Sequence, residues 1–362
     1  MKYIGQFTEG CRVADVYLCK RRTIAVSKNG KEYATVVLQD KSGTIDAKIW
    51  DLASPGVTDF DNLDYVYVEG DVTVFQGNNQ LNIRRIRRAE SNEYEQGDYL
   101  PVSTKDLKAM YQEIKAMVLS ISDPYLKKLC TSYYVDDKVF LKKFCYHSAA
   151  KSVHHGFVGG LMEHTLGVMK LCEFYAKAYP LINRDLLITA ALFHDIGKVN
   201  ELSDFPENDY TDDGQLLGHI VIGTMMIRDR IREIEGFPKK LATELEHCIL
   251  AHHGELEYGS PKKPALLEAL ALNLADNTDA KMETMTEALN NGGTGMNKDG
   301  WLGFNRFLDS NIRRTTGNEG PVQAAASKDD FGAHIGRGPE RGNGGREHFS
   351  NTLDLSGFKF EN

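Results

Sequence analysis

The side chains able to do chemistry crowd between positions 160 and 276. A buried-looking apolar helix, Leu186-Leu187-Ile188-Thr189-Ala190-Ala191-Leu192-Phe193, runs straight into His194-Asp195-Ile196-Gly197-Lys198. An ionisable pair at the end of such a helix loses its water and needs a partner, most often a metal. Further donors stand where separate helices present them: His164 upstream, then His219, His252-His253 and Asp276. A single histidine on an apolar helix is usually a hydrogen-bonded core residue. His, His-Asp, His, His, Asp in that order reads as a ligand set. Neutral imidazoles suit Mn, Fe, Co or Zn, and an Asp can bridge two ions because it has two oxygens. His194 and Asp195 sit about 100° apart on a helix, so the pair reaches two sides of one centre. Lys198, one turn past His194, is placed to steady negative charge as it grows on a substrate.

Helices must position these donors. From position 104 to about 309 the apolar spacing is helical, as in Leu107, Met110, Ile114, Met117 and Val118, or Leu171, Phe174 and Tyr175. Ser103 is expected to cap the first helix, with Asp106 in the capping-box position. Interruptions fall at Asp123-Pro124, Tyr179-Pro180, Phe205-Pro206 and Phe237-Pro238. Ahead of the helices, short β-rich runs alternate with turns at Lys28-Asn29-Gly30, Lys41-Ser42-Gly43 and Gly77-Asn78-Asn79. Five such strands fit a small closed barrel of the OB type. The expected fold is therefore multidomain: an all-β OB barrel over 1–92, a linker over 93–103, an all-α helical domain over 104–310, and a Gly-rich disordered tail over 311–362.

The barrel stretch, Leu38-Gln39-Asp40-Lys41-Ser42-Gly43-Thr44-Ile45-Asp46-Ala47-Lys48-Ile49-Trp50 with Val68-Glu69-Gly70 and Gln80-Leu81-Asn82-Ile83, resembles nucleic-acid-binding OB-folds of the anticodon-binding class. Such barrels grip a single strand by phosphate contacts and base stacking. The candidates here are Lys20, Arg21, Arg22, Arg84, Arg85, Tyr17, Trp50 and Phe75. The chain carries a net charge of −8, so bulk attraction to nucleic acid is excluded and local patches, stacking or metals must do the work.

The pattern from His164 to Asp276 resembles the HD superfamily of metal-dependent phosphohydrolases. That resemblance implies one ion on His164, His194, Asp195 and Asp276, and a second on His219 and His252 with Asp195 between them. His253 is expected to contact the substrate or support a ligand. The flanks narrow the likeness: Gly160-Leu161-Met162-Glu163-His164-Thr165-Leu166, then His252-His253-Gly254 running on to Gly259-Ser260-Pro261-Lys262, and Asp276-Asn277-Thr278-Asp279-Ala280-Lys281-Met282. With an OB barrel in front, these are similar to the YhaM-type 3′→5′ exoribonucleases of Gram-positive bacteria, over residues 1–310. The resemblance implies single-stranded RNA, with single-stranded DNA as a second substrate, cut from the 3′ end to nucleoside 5′-monophosphates. It also implies two divalent ions, Mn²⁺ first, with Co²⁺, Fe²⁺ or Mg²⁺ as alternatives. His154, His155 and the loop carrying Tyr258 and Lys262 either touch the terminal nucleotide or serve as a cap and a turn; the sequence leaves both open.

Six cysteines lie far apart with no Cys-x-x-Cys pair, which suits reduced thiols and excludes a zinc ribbon. No run reaches the 18 or so apolar residues of a membrane span, and the Met1–Gly5 stretch does not read as a signal peptide. A cytoplasmic chain is expected. Helical domains of this kind can pack side by side, so a homo-oligomer stays open. The competing enzyme reading is a phosphohydrolase acting on a dNTP, an alarmone or a cyclic dinucleotide, which has no need of a strand-binding barrel.

Overall fold

In the computed structural model the described residues are 1–27, 29–75, 77–100, 102–151, 155–291 and 300–316. Five strands close a barrel: β1 (Arg12–Val26), β2 (Glu32–Asp40), β3 (Gly43–Ile49), β4 (Tyr65–Phe75) and β5 (Asn78–Arg88). Their order round the barrel is β1-β2-β3-β5-β4, antiparallel except where β3 meets β5. Period-two burial explains the strands: Ala34, Val36 and Leu38 on β2, and Val66, Val68 and Val72 on β4, all point into one core with Phe7, Tyr17 and Phe60. This is the expected OB-type barrel. Its first strand runs on through Lys20–Val26 as an arm paired with the start of β2.

The helical part comprises α1 (Leu107–Leu119), α2 (Pro124–Tyr134), α3 (Lys138–Tyr146), α4 (Gly160–Ala178), α5 (Arg184–Phe193), α6 (Lys198–Glu201), α7 (Asp212–Leu216), α8 (Gly218–Arg232), α9 (Lys239–Leu250) and α10 (Leu267–Asn291). Every residue of α5 from Leu186 to Phe193 is buried, so this helix is the axis round which the others pack. The first helix starts later than Ser103 would set it. Asp106 is the cap, accepting from the N–H groups of Lys108 and Ala109 at 2.8 and 3.1 Å, because its carboxylate stands one residue before the helix begins. Ser103 instead donates to Glu163 at 2.5 Å.

The segment expected as a polar linker is packed. Tyr99 and Leu100 are buried in a seam with Val16 and Leu18 of β1 and with Val158, just before α4. Tyr94 stacks on Tyr65 with ring centroids 3.9 Å apart, Gln39 donates to the Tyr99 carbonyl at 3.1 Å, and Val102 bridges to Val158. Barrel and helices thus share apolar contacts.

The helical pattern was expected to reach about 309. It ends at Asn291, and β6 (Trp301–Asn305) and β7 (Ser310–Arg313) form a hairpin. A left-handed Gly303 (φ 96°) and Asp309 (φ 48°) turn the chain there. The strand β7 runs across position 311, where composition placed the start of the tail; the expectation of a disordered tail otherwise concerns 317–362, which lie outside the described residues. No helix of the described residues is long and apolar enough to cross a membrane.

Candidate metal centre

The five helical segments carry their donors to one point. His164 comes from α4, His194 and Asp195 from the end of α5, His219 from the start of α8, His252 from the end of α9, and Asp276 from α10. Two glycines allow the approach. A Cβ on Gly197 would sit 2.0 Å from the His219 carbonyl oxygen, and one on Gly167 would sit 2.0 Å from Asp279 Oδ1.

Asp195 is 2% exposed and stands between two groups. Its Oδ2 lies 3.4 Å from both His164 Nε2 and His194 Nε2, and those two nitrogens are 3.2 Å apart. Asp276 Oδ1 completes this group at 3.1 Å from His164 Nε2. The other oxygen, Oδ1, lies 3.4 Å from His219 Nε2 and 3.9 Å from His252 Nε2. His164, His194 and Asp276 form one set able to hold an ion; His219, His252 and His253 form another. Lys198 Nζ is 2.7 Å from Asp195 Oδ2 and lines the same cavity.

Each ring is aimed from behind. His194 Nδ1–H donates to Ala191 O at 2.8 Å and His252 Nδ1–H to Ile249 O at 2.7 Å. His253 donates likewise to Tyr258 O at 2.8 Å. His164 Nδ1–H donates to Asp279 Oδ2 at 2.7 Å and His219 Nδ1–H to Glu201 Oε1 at 3.0 Å. Every ring therefore turns Nε2 toward the cluster, a carboxylate or carbonyl holding Nδ1 from behind.

The electrostatics follow from burial and neighbours. Burial pushes the Asp195 carboxyl up, but Lys198 and His194 outweigh it and hold it well below the usual carboxylate range. Burial disfavours charge on His164 as well, yet Asp276 and Asp279 push it up to about 10. Burial, reinforced by His253, draws His252 well below its ordinary value, so its ring is neutral. Lys198 stays charged because Asp195 offsets its desolvation.

Two buried nitrogens test whether divalent ions fit. His219 Nε2 and His252 Nε2 have no hydrogen-bond partner. A buried polar atom left so costs about 1–3 kcal/mol, and both face Asp195 Oδ1. A cation there removes the cost, and the donor set of imidazoles and carboxylates suits a borderline divalent metal. The residues present fit.

The remaining expectations divide. His253 joins the second set. His155 (φ 59°) is buried behind His164, with Nε2 3.2 Å from Asp279 Oδ2, and is absent from the cavity lining that a substrate would meet. His154 lies outside the described residues. Lys262 is exposed but outside the lining; Glu255 and Tyr258 represent its loop there. On the barrel, Trp50 is 60% exposed, donates to Asn82 at 2.9 Å and stacks on Tyr33 at 6.0 Å. Lys48 lies over Tyr33, and Arg21 is exposed. Arg22 is taken up internally: its guanidinium lies over the Phe60 ring at 4.5 Å and pairs with Asp59 at 3.2 Å. Tyr17 is fully buried and donates to Lys2 O at 2.6 Å, so it is no platform for a base.

Sequence reasoning passed over Glu201 and Tyr33, and gave Asp279 only as part of the Asp276–Met282 motif, with no role. Asp279 follows Asp276 by three residues and Glu201 follows Lys198 by three, a helical spacing that was the one signal for Glu201. Replacing Glu201 with Gln keeps the shape and lowers the basicity of His219. Divalent-metal affinity is expected to fall by about 10- to 100-fold, measured as metal retained per chain after dialysis; unchanged retention would count against the Glu201–His219 pairing as a metal support.

A family model described as HD domain matches residues 161–281. The chain is similar to the 3′-5′ exoribonuclease YhaM of Bacillus velezensis, 37% identical over 281 residues, covering 77% of this chain and 88% of that one. It is 37% identical to the same enzyme of Geobacillus sp. over 277 residues, covering 76% and 84% of the two chains. To that of Bacillus subtilis it is 36% identical over 281 residues, covering 77% and 88%. Among solved structures, the second OB-fold domain of replication protein A from Methanococcus maripaludis matches 25% of this chain and 95% of that one at 15% identity and a TM-score of 0.21. By its likeness to these enzymes over most of its length, the chain belongs to the YhaM family of 3′-5′ exoribonucleases.

Proposed function

We infer that the chain hydrolyses single-stranded RNA from its 3′ end, releasing nucleoside 5′-monophosphates with the help of two divalent ions. One observation carries the reading: a single buried carboxylate, Asp195, turns one oxygen to each of two imidazole sets beside a charged lysine. His164, His194 and Asp276 with Asp195 Oδ2 would hold one ion, and His219 and His252, joined by His253, with Asp195 Oδ1 the other. When bound, such a pair lowers the pKa of water and neutralises charge on a phosphate clamped between the ions. The residues do the rest. Asp195 fixes the spacing of the two sets, and Lys198 Nζ holds non-bridging phosphate oxygens as their charge rises. Glu201 and Asp279 keep the rings of His219 and His164 aimed.

Mn²⁺ is taken first among Mn²⁺, Co²⁺, Fe²⁺ and Mg²⁺ on the likeness to the YhaM-type enzymes, and the mixed imidazole and carboxylate donors accept it. The stacked Trp50 and Tyr33 rings with Lys48 and Arg21 supply a sequence-tolerant platform for the strand. A DNA strand has the same faces and phosphates, so single-stranded DNA is a second substrate. Six buried, unpaired thiols support a cytoplasmic setting.

The test is a gel of 5′-labelled single-stranded RNA with the protein and Mn²⁺. A ladder shortening from the 3′ end is expected. Intact RNA, with a dNTP, an alarmone or a cyclic dinucleotide hydrolysed instead, would overturn the reading in favour of a small-nucleotide hydrolase.

A further inference from the structure

The cavity above the histidine cluster, of about 730 Å³, has a wall that the chemistry leaves unused. The β6–β7 turn brings Phe307, Leu308 and Asp309 to the lining that also contains Tyr258, His164 and Asp195. The hairpin is held at its base. Ile312 is buried, Arg314 N–H donates to Gly300 O at 2.9 Å, and the Arg314 guanidinium donates to the Leu289 carbonyl in α10. The turn is held too: Asn305 Oδ1 accepts from the N–H groups of Phe307 and Leu308 at 2.9 and 3.1 Å.

Yet the ring presented by this braced turn is bare. Phe307 is 70% exposed, as is Tyr258, and neither belongs to a core cluster. A lone exposed aromatic ring is ordinary. Two on one polar cavity, one of them on a turn fixed from both sides, are not explained by packing. The volume lies within the roughly 300–1,000 Å³ typical of ligand pockets, and the α10 face adds Asn277 and Lys281 as polar wall.

We propose that Phe307, together with Tyr258, stacks on the 3′-terminal nucleobase and so sets the last phosphodiester over Asp195. The proposal rests on the 3′-exonuclease reading and names a subsite of it. Stacking needs only a π-face, which every base has, so the hairpin positions the terminus without selecting its sequence. Phe307 is a positioning residue, since the bond it aligns is cut elsewhere in the cavity.

The test uses the full chain with Mn²⁺ and a short RNA ending in 2-aminopurine, whose fluorescence falls on stacking. Wild-type protein is expected to quench the terminal base on mixing and to release it as the strand shortens. Phe307→Ala is expected to lose most of the quench and to raise KM about tenfold, as loss of one base–aromatic stack implies. Phe307→Trp restores both. Removing the terminal base should cost the wild type at least that factor and the Ala variant, which keeps only Tyr258, distinctly less. A Phe307→Ala protein with wild-type quench and KM would overturn the clamp and leave the exonuclease standing. Quenching by the wild type without any shortening would overturn the exonuclease reading and leave the clamp. No quench by the wild type overturns the clamp, whatever the gel shows.

Discussion

Replacing Asp195 with Ala is expected to leave no shortened RNA, a loss of at least about four orders of magnitude in rate. Both oxygens of this carboxylate are committed, one to His164 and His194, the other to His219 and His252. Its removal would disconnect both ion sites at once, and metal stabilisation of phosphoryl charge is worth several kcal/mol, at about 1.4 kcal/mol per tenfold in rate. The fold should survive. Lys198 loses its partner at 2.7 Å, and a buried charge left fully alone costs roughly 3–5 kcal/mol. Asp276 and Glu201 still act on Lys198, so a loss of about 2 kcal/mol, below that range, is expected. Circular dichroism and a melting curve would establish the folded state, and RNA decay on a gel the activity. A folded variant that still shortens RNA would sink the assignment of Asp195.

Stripping the divalent ions is expected to have an effect as large, and a reversible one. After chelation and dialysis the protein should be inactive, and Mn²⁺ should restore it. Stability should follow. Without an ion, the Nε2 atoms of His219 and His252 stay buried and unpartnered, and His164 carries a proton beside Asp276 and Asp279. An ion at a hundred times its dissociation constant adds about 2.7 kcal/mol, visible as a rise in melting temperature of several degrees. Full activity in protein holding less than about a tenth of an ion per chain would exclude a metal route.

The convergence of the candidate donors was legible because the chemistry tolerates few residue types and demands them in helical contexts. His164, His194, Asp195, His219, His252 and Asp276 meet at one point although they span more than a hundred positions of sequence. The carboxylates that aim them were not legible. With 51 Asp and Glu in the chain, the motif around Asp279 and the spacing of Glu201 gave neither residue a role until their distances to His164 and His219 were known. On the barrel, Trp50 stood out as a strand-end aromatic, whereas Tyr17 and Arg22 were indistinguishable from surface groups. Tyr17 shares the barrel core with Val13 and Cys19 while the seam covers Val16 and Leu18 on the other face of β1, and Phe60 draws Arg22 inward. The hairpin after α10 escaped for another reason: Trp301, Phe304 and Phe307 recur at threes, which mimics a helix.

The seam of Tyr94, Tyr99 and Leu100 has a consequence for how the two bodies hold together. Because β1 and Val158 at the entry to α4 bury Tyr99 and Leu100 jointly, neither face of the seam is dry without the other. Each apolar side chain so buried is worth roughly 1.5–3 kcal/mol, a sum comparable with the whole margin of a small domain. The joint is thus a weld in the thermodynamic sense. A change at Leu100 touches neither Trp50 nor Asp195, yet it would be felt at both as a common loss of rigidity.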